Sequence, residues 1–250
     1  MKNIQSLIYG LLVVVAATSC TKEINYDLTN TETKIVIEAS MLKDSFAYAR
    51  VTKTAEYLKN QPTPVVDNAF IIVTSTSGKS DTLNYISNGY YKGNSLKGVF
   101  SDAYTLNVSV DGKIYAATTQ LFDNNPFVIT NVNYNDGNGG FKKKGYYPAI
   151  DATIPSGIDS YYLFKYFKND SVYREDPSDL VVRDSKFIGT SLKGYETPNP
   201  YQLNDEAKIL IYRITKESYN FYNDLQAQLN NDGGFFSTPP ANTSTNFSNG

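Results

Sequence analysis

The side chains that usually carry acid–base or nucleophilic chemistry are scarce in this 250-residue sequence, which has no histidine and a single cysteine, Cys20. Without an imidazole, the Ser-His-Asp and Cys-His arrangements and the histidine-based zinc sites are closed to it. Carboxylates remain. Asp170, Glu175 and Asp176 lie close enough in sequence to be weighed as a glycosidase pair, a chemistry set by the separation of two carboxyls across a substrate. A solvated loop is the plainer reading of them. Asn133-Tyr134-Asn135-Asp136-Gly137-Asn138-Gly139-Gly140 invites a calcium reading, but it sets one carboxylate among amides, whereas a calcium loop places several acids at alternate positions. It reads better as a flexible hairpin loop, with Lys142-Lys143-Lys144 as its solvated basic tip. No catalytic residue, no metal site and no cofactor is expected.

Tyrosine is the compositional outlier, with 21 residues against no tryptophan. In Tyr90-Tyr91, Tyr146-Tyr147 and Tyr161-Tyr162 adjacent side chains on a strand point to opposite faces, so one of each pair tends outward. An outward tyrosine pairs an apolar ring with a wet hydroxyl, which makes a rigid contact surface. Strand propensity with partial burial is the plainer reading of any single pair. The expected contact site is Tyr146 and Tyr147 together with Asn135 and Asp136, because a long polar loop beside paired aromatics is where a β scaffold carries recognition. The ligand is unspecified, with peptide or glycan both open.

Cys20 has a different chemistry in prospect. Lys2 is followed by an uncharged stretch with the apolar centre Leu7–Ala17, the layout of a signal peptide over residues 1–19. The run is too short for a membrane-spanning helix, which needs roughly 18 or more apolar residues. Ala17-Thr18-Ser19 before Cys20 resembles the site at which lipoprotein signal peptidases cut, after which the thiol carries lipid. An ordinary secreted protein with a stray cysteine is the alternative. Thr21, not aspartate, follows the cysteine, which points to the outer membrane, with the chain lipid-anchored and facing the cell exterior. The formal net charge of −2 favours neither nucleic acid nor anionic headgroups.

The elements that must position these residues are mostly strands. After a polar tether at 20–33, strand patterns fall at Ile35–Ser40, Ala47–Ala55, Ala69–Ser75 and Asp81–Ile86. Tyr104–Val110 and Lys113–Thr119 flank Asp111-Gly112 as a β-hairpin. Six or seven short strands over 34–122 point to an immunoglobulin-like sandwich. Composition changes near Phe122–Pro126, and a second β-rich domain is read over 123–250. Its strands are Phe127–Tyr134, Pro148–Ile154, Tyr161–Phe167 as a central strand, and Ala207–Ile214, with a loop-rich middle from Asp176 to Asn204. One helix is expected at 216–229, capped by Thr215, ended by Gly233-Gly234 and packed on the second domain through Tyr219, Tyr222, Leu225 and Leu229. The fold class is therefore mainly β: tandem β-sandwich-like domains, the first immunoglobulin-like, the second with one C-terminal α-helix.

Four pieces carry a family resemblance: Cys20 with Lys22-Glu23-Ile24, the hairpin Tyr104–Lys113, the strand-to-helix junction Ile214–Tyr219, and Gly233-Gly234-Phe235-Phe236 followed by Pro239-Pro240-Ala241-Asn242. In that order they resemble a Bacteroidota outer-membrane lipoprotein family of unassigned function, often encoded beside TonB-dependent receptors of the starch-utilisation type. The resemblance implies a surface-exposed lipoprotein, an accessory of nutrient import, and no catalytic residues. Members of that family continue past the Ser248–Gly250 region into a closing strand, so an open sheet edge is expected near Ala207–Ile214. Asp81-Thr82-Leu83 and Asp170-Ser171-Val172 also resemble the short motif at which such bacteria attach O-glycans.

Two functions follow from the sequence. The first is a non-catalytic surface lipoprotein that assists a TonB-dependent receptor complex by holding a ligand or docking on it. The second is a structural or adhesive surface protein with no import role, and a carboxylate-based hydrolase is a distant third.

Overall fold

The computed structural model describes residues 33–55, 62–123, 126–140, 142–154, 159–176, 181–188, 191–231 and 242–248. The signal peptide, Cys20 and the tether before Thr33 lie outside the described residues, as does the helix stop expected at Gly233-Gly234. The chain forms two units, Met1–Val36 with Lys53–Pro64, and Ile37–Thr52 with Val65–Gly250. In the described part of the first, Lys34 and Thr54 exchange backbone and side-chain hydrogen bonds at 2.9 and 3.0 Å, and Lys53 N donates to Pro64 O at 2.8 Å.

The opening strands are β1 (Ile35–Ser40), β2 (Phe46–Lys53), β3 (Phe70–Ser75), β4 (Ser80–Ser87), β5 (Tyr90–Lys97), β6 (Ala103–Val110) and β7 (Lys113–Gln120). They form one hydrogen-bonded path in the order β1-β2-β5-β4-β3-β6-β7, where an immunoglobulin-like sandwich has two separate sheets. The reason lies in β4, whose first half (Ser80–Leu83) pairs with β3 and whose second half (Asn84–Ser87) pairs with β5. Alternation then buries Ala47, Ala49, Val51, Ile71, Val73, Leu83, Tyr104, Leu106 and Val108, the inward positions of their strands. The β6–β7 turn is the expected two-residue one, with Asp111 and Gly112 at φ 52° and 75°, as its type requires.

The second set is β8 (Phe127–Asn135), β9 (Gly145–Thr153), β10 (Tyr161–Lys168), β11 (Ser171–Val172), β12 (Val181–Asp184), the short helix α1 (Ser185–Ile188), β13 (Ser191–Glu196), β14 (Ala207–Ile214) and α2 (Lys216–Leu229). A three-stranded sheet β13-β9-β8 packs on a four-stranded one in which β10 pairs with β11 and β12 on one side and β14 on the other. Ile150, Ala152, Ile154 and Leu192 meet Tyr162, Phe164, Tyr166 and Val181 to form the core between them. β10 is central, with Tyr162, Phe164 and Tyr166 buried on one face and Leu163 on the other. On its reverse face Tyr161 meets the ring of Tyr219 on α2 at 4.9 Å, which seats the helix on this sheet. Thr215 caps α2, accepting from Ser218 N at 3.2 Å, and Asn230 closes it by donating to Gln226 O at 3.0 Å.

The fold is mainly β, with several antiparallel sheets in a sandwich-like arrangement and one long helix near the C-terminus. Two expectations change. The stretch from Asp176 to Asn204 is not all loop, since β12, α1 and β13 fall inside it and β12 and β13 each complete a sheet. β5 stands where no strand was read. β14 pairs with β10 along all eight residues, and Ile211 on it has a further partner. The described end of the chain runs along β7, where Ser248 N donates to Ala116 O at 2.8 Å and Asn246 Nδ2 to Thr118 O at 3.2 Å.

Candidate binding surface

Among the described residues no group of three or more His, Cys, Asp or Glu side chains stands close enough to hold a metal ion. Of the carboxylates weighed as a hydrolytic pair, Glu175 is ion-paired with Lys143, Asp176 has its own partner, and Asp170 sits at φ 61° in the exposed β10–β11 turn. The same turn leads into Ser171, which is exposed. In the other motif of that kind Thr82 is exposed while Asp81 is buried.

A concavity of about 460 Å³ opens beside Gln120, Phe122, Ser160, Arg213 and Thr215. Its arginine is already engaged. Arg213 donates to Asp123 O at 2.7 Å and to the buried Ser160 Oγ at 3.0 Å, and lies 5.0 Å from the Phe122 ring centroid. The arginine therefore fastens the β7–β8 connection to β10 and β14.

The β8–β9 hairpin has a different character. β8 runs one residue past the expected strand, to Asn135, because Asn133, Tyr134 and Asn135 pair with Tyr147, Tyr146 and Gly145. The turn itself, from Asp136 to Lys144, is tied down. Asn135 Oδ1 accepts from Gly137 N at 2.8 Å and Asp136 Oδ1 from Asn138 N at 2.9 Å, two local side-chain turns. Asn138 holds the Asp136 carboxyl below its usual range by these bonds. Lys142 pairs with Glu196 on β13, and Lys143 with Glu175 after β11. Glu196 also accepts from Asn133 Nδ2 at 2.7 Å, and Lys142 and Asn133 together hold its carboxyl below the ordinary value. Behind the hairpin, Gly145 fits because a Cβ there would come within 2.6 Å of Pro200 Cβ. Tyr146 and Tyr201 exchange two backbone hydrogen bonds of 2.8 Å. Burial, with Tyr173 and Asp205 nearby, pushes the Tyr201 phenol up to about 12.

The two faces of this hairpin explain its tyrosines. Tyr147 shares a face with its partner Asn133 and is covered there by Lys142, whose ammonium lies 5.1 Å from the ring centroid. Its hydroxyl donates to Lys143 O at 2.8 Å. Tyr147 is thus buried and supports the loop, and of the pair only Tyr146 is partly exposed. Tyr146 follows the alternation of Ile150 and Ala152, the core face of β9. Its cross-strand partner Tyr134 packs against it with the rings tilted by 51° and their centroids 5.1 Å apart.

By register Ile129, Val132 and Tyr134 face the same way as the core residue Ile150, yet they are 49%, 52% and 54% exposed. The sandwich is therefore open along β8, and an apolar row that should lie inside is presented to solvent. Tyr146 and the loop lie beside this row, while Ile129, Val132 and Tyr134 are not among the contact residues expected from the sequence. The signal was there, as Ile129, Val132 and Tyr134 are the large side chains of one face once a single extra residue is allowed at Thr130. The other tyrosine pairs divide as expected, with Tyr91 and Tyr162 buried, Tyr90 exposed and Tyr161 half-buried.

No curated protein matches the chain. Residues 21–250 match the model of the domain of unknown function DUF4249, and the chain belongs to that family.

Proposed function

We propose that this is a non-catalytic lipoprotein of the outer membrane, anchored through Cys20 and exposed to the cell exterior, which serves a TonB-dependent nutrient-import complex as an accessory or ligand-holding component. The observation that carries the binding half is the uncovered row Ile129, Val132 and Tyr134, with Tyr146 packed beside it and a tied loop at its end. Aromatic and aliphatic side chains on a rigid strand lose little freedom when a partner covers them, which is how contact surfaces gain affinity. The sequence around Cys20 supports the anchor: Ala17-Thr18-Ser19 precede it and an apolar segment stands before them. Two or more acyl chains hold a protein stably at a membrane.

The anchor is tested by growing cells with radioactive palmitate and fractionating their membranes. Label in the wild-type protein, its loss in Cys20→Ala, and release of that variant from the outer-membrane fraction are expected. A wild-type chain that takes no label refutes the anchor.

A further inference from the structure

The row on β8 has a backbone counterpart. Tyr146 N–H and C=O both turn to Tyr201, and Pro148 C=O accepts from Thr197 N at 3.1 Å, so these residues of β9 spend their backbone groups on the side away from β8. In an antiparallel ladder opposite residues either exchange hydrogen bonds or both point away. The partners of Tyr146 and Pro148 on β8 are Tyr134 and Val132, whose N–H and C=O groups therefore point outward, away from β9. β8 is the last strand of its sheet among the described residues. An outward ladder of this kind is completed by an extended strand, and natural edges are usually blunted by charge or proline. Phe127–Asn135 contains neither a charged residue nor proline; its one irregularity is the bulge between Ile129 and Asn131, which precedes the outward pair.

The sequence of β8 is complementary to itself. If two copies align antiparallel about Asn133, Val132 of each faces Tyr134 of the other, and both are residues with outward backbone groups. Four hydrogen bonds form. The side chains of Val132 and Tyr134 then meet on one face, a favourable β-branched and aromatic pairing, and no like charges are brought together. The two-fold axis stands perpendicular to the sheet, so the apolar rows of the two copies become continuous.

We propose that β8 pairs with β8 of a second copy of this chain, joining two three-stranded sheets into one six-stranded sheet through Val132 and Tyr134. The interface is closed by its own symmetry, so a dimer forms and not a fibre.

Sedimentation of the full chain in mild detergent should show a dimer. Val132→Pro removes an outward donor without breaking a bond to β9, a position where an edge strand tolerates proline; it should leave the circular dichroism and melting unchanged and give a monomer. In the β8–β8 ladder Asn133 faces Asn133 of the other copy as a non-hydrogen-bonded pair, about 4.5 Å between Cα atoms, within disulfide reach. Asn133→Cys, combined with Cys20→Ser to remove the other thiol, should therefore form a disulfide-linked dimer on a non-reducing gel. A wild-type chain that is monomeric at every concentration overturns the proposal, as does a Val132→Pro chain that dimerises like the wild type.

Discussion

Gly93 and Asp81 are matched in space: a Cβ on residue 93 would come within 2.5 Å of Asp81 Oδ2. That oxygen accepts from the backbone N–H groups of Asn94, Ser95 and Leu96 at 2.9, 2.8 and 2.9 Å. Burial works to raise the Asp81 carboxyl, but the three N–H groups outweigh it and hold the group below its usual value. The carboxylate from β4 thus replaces strand pairing where β5 leaves the regular ladder.

Removing it leaves three donors without their acceptor, so Asp81→Ala should destabilise the fold by about 3 kcal/mol. Gly93→Ala should destabilise it through the clash, and the two changes should be less than additive, because each disturbs the same bonds. Urea denaturation of the single and double variants checks this. Full additivity would contradict the coupling.

Acid should loosen the β8–β9 loop before it unfolds the sheets. Glu196 titrates below its ordinary value because its charged form is held by Lys142 and Asn133. A depressed folded value means that the contribution is present above the unfolded value and is lost as pH falls through the folded one. Amide exchange at Gly137–Lys144, compared with β10, should rise as pH falls from about 5 to about 3, after correction for intrinsic rates. Glu196→Gln should show the faster exchange already at neutral pH.

Elements whose local chemistry agreed with their place were legible in the sequence. The β6–β7 hairpin, the central strand at Tyr161, Ala207–Ile214 and the helix from Lys216 each carry an uninterrupted pattern with a turn or cap beside it, and they fold where that pattern puts them. β5 was not legible because Gly93, Asn94 and Ser95 interrupt its alternation and because Asp81, distant in sequence, supplies the bonds that steady it. Asn88-Gly89 before it, at φ 50° and 79°, was the available hairpin signal. β12 and β13 are short, and β13 carries a register shift between Leu192 and Tyr195, so periodicity had too few residues to act on. The open row on β8 was hidden for a related reason: the bulge moves Val132 and Tyr134 onto the face of Ile129, which no strict period of two reveals.

Arg213 should be replaceable by lysine only at a cost. It reaches Asp123 O and Ser160 Oγ with two nitrogens of one planar group, which a single ammonium cannot do. Arg213→Lys should lose about 1 kcal/mol, read from a chemical melt. A variant as stable as the wild type would show that the β7–β8 connection does not depend on that fork.

The contact surface on β8 is the centre of the functional reading, and affinity purification from the outer membrane in mild detergent tests it most directly. The wild-type chain should bring down a TonB-dependent receptor, and a variant with Tyr134→Ala and Tyr146→Ala, folded like the wild type by circular dichroism, should bring down much less. A wild-type chain that recovers no such receptor would contradict the import role, and equal recovery with the variant would contradict the placement of the surface.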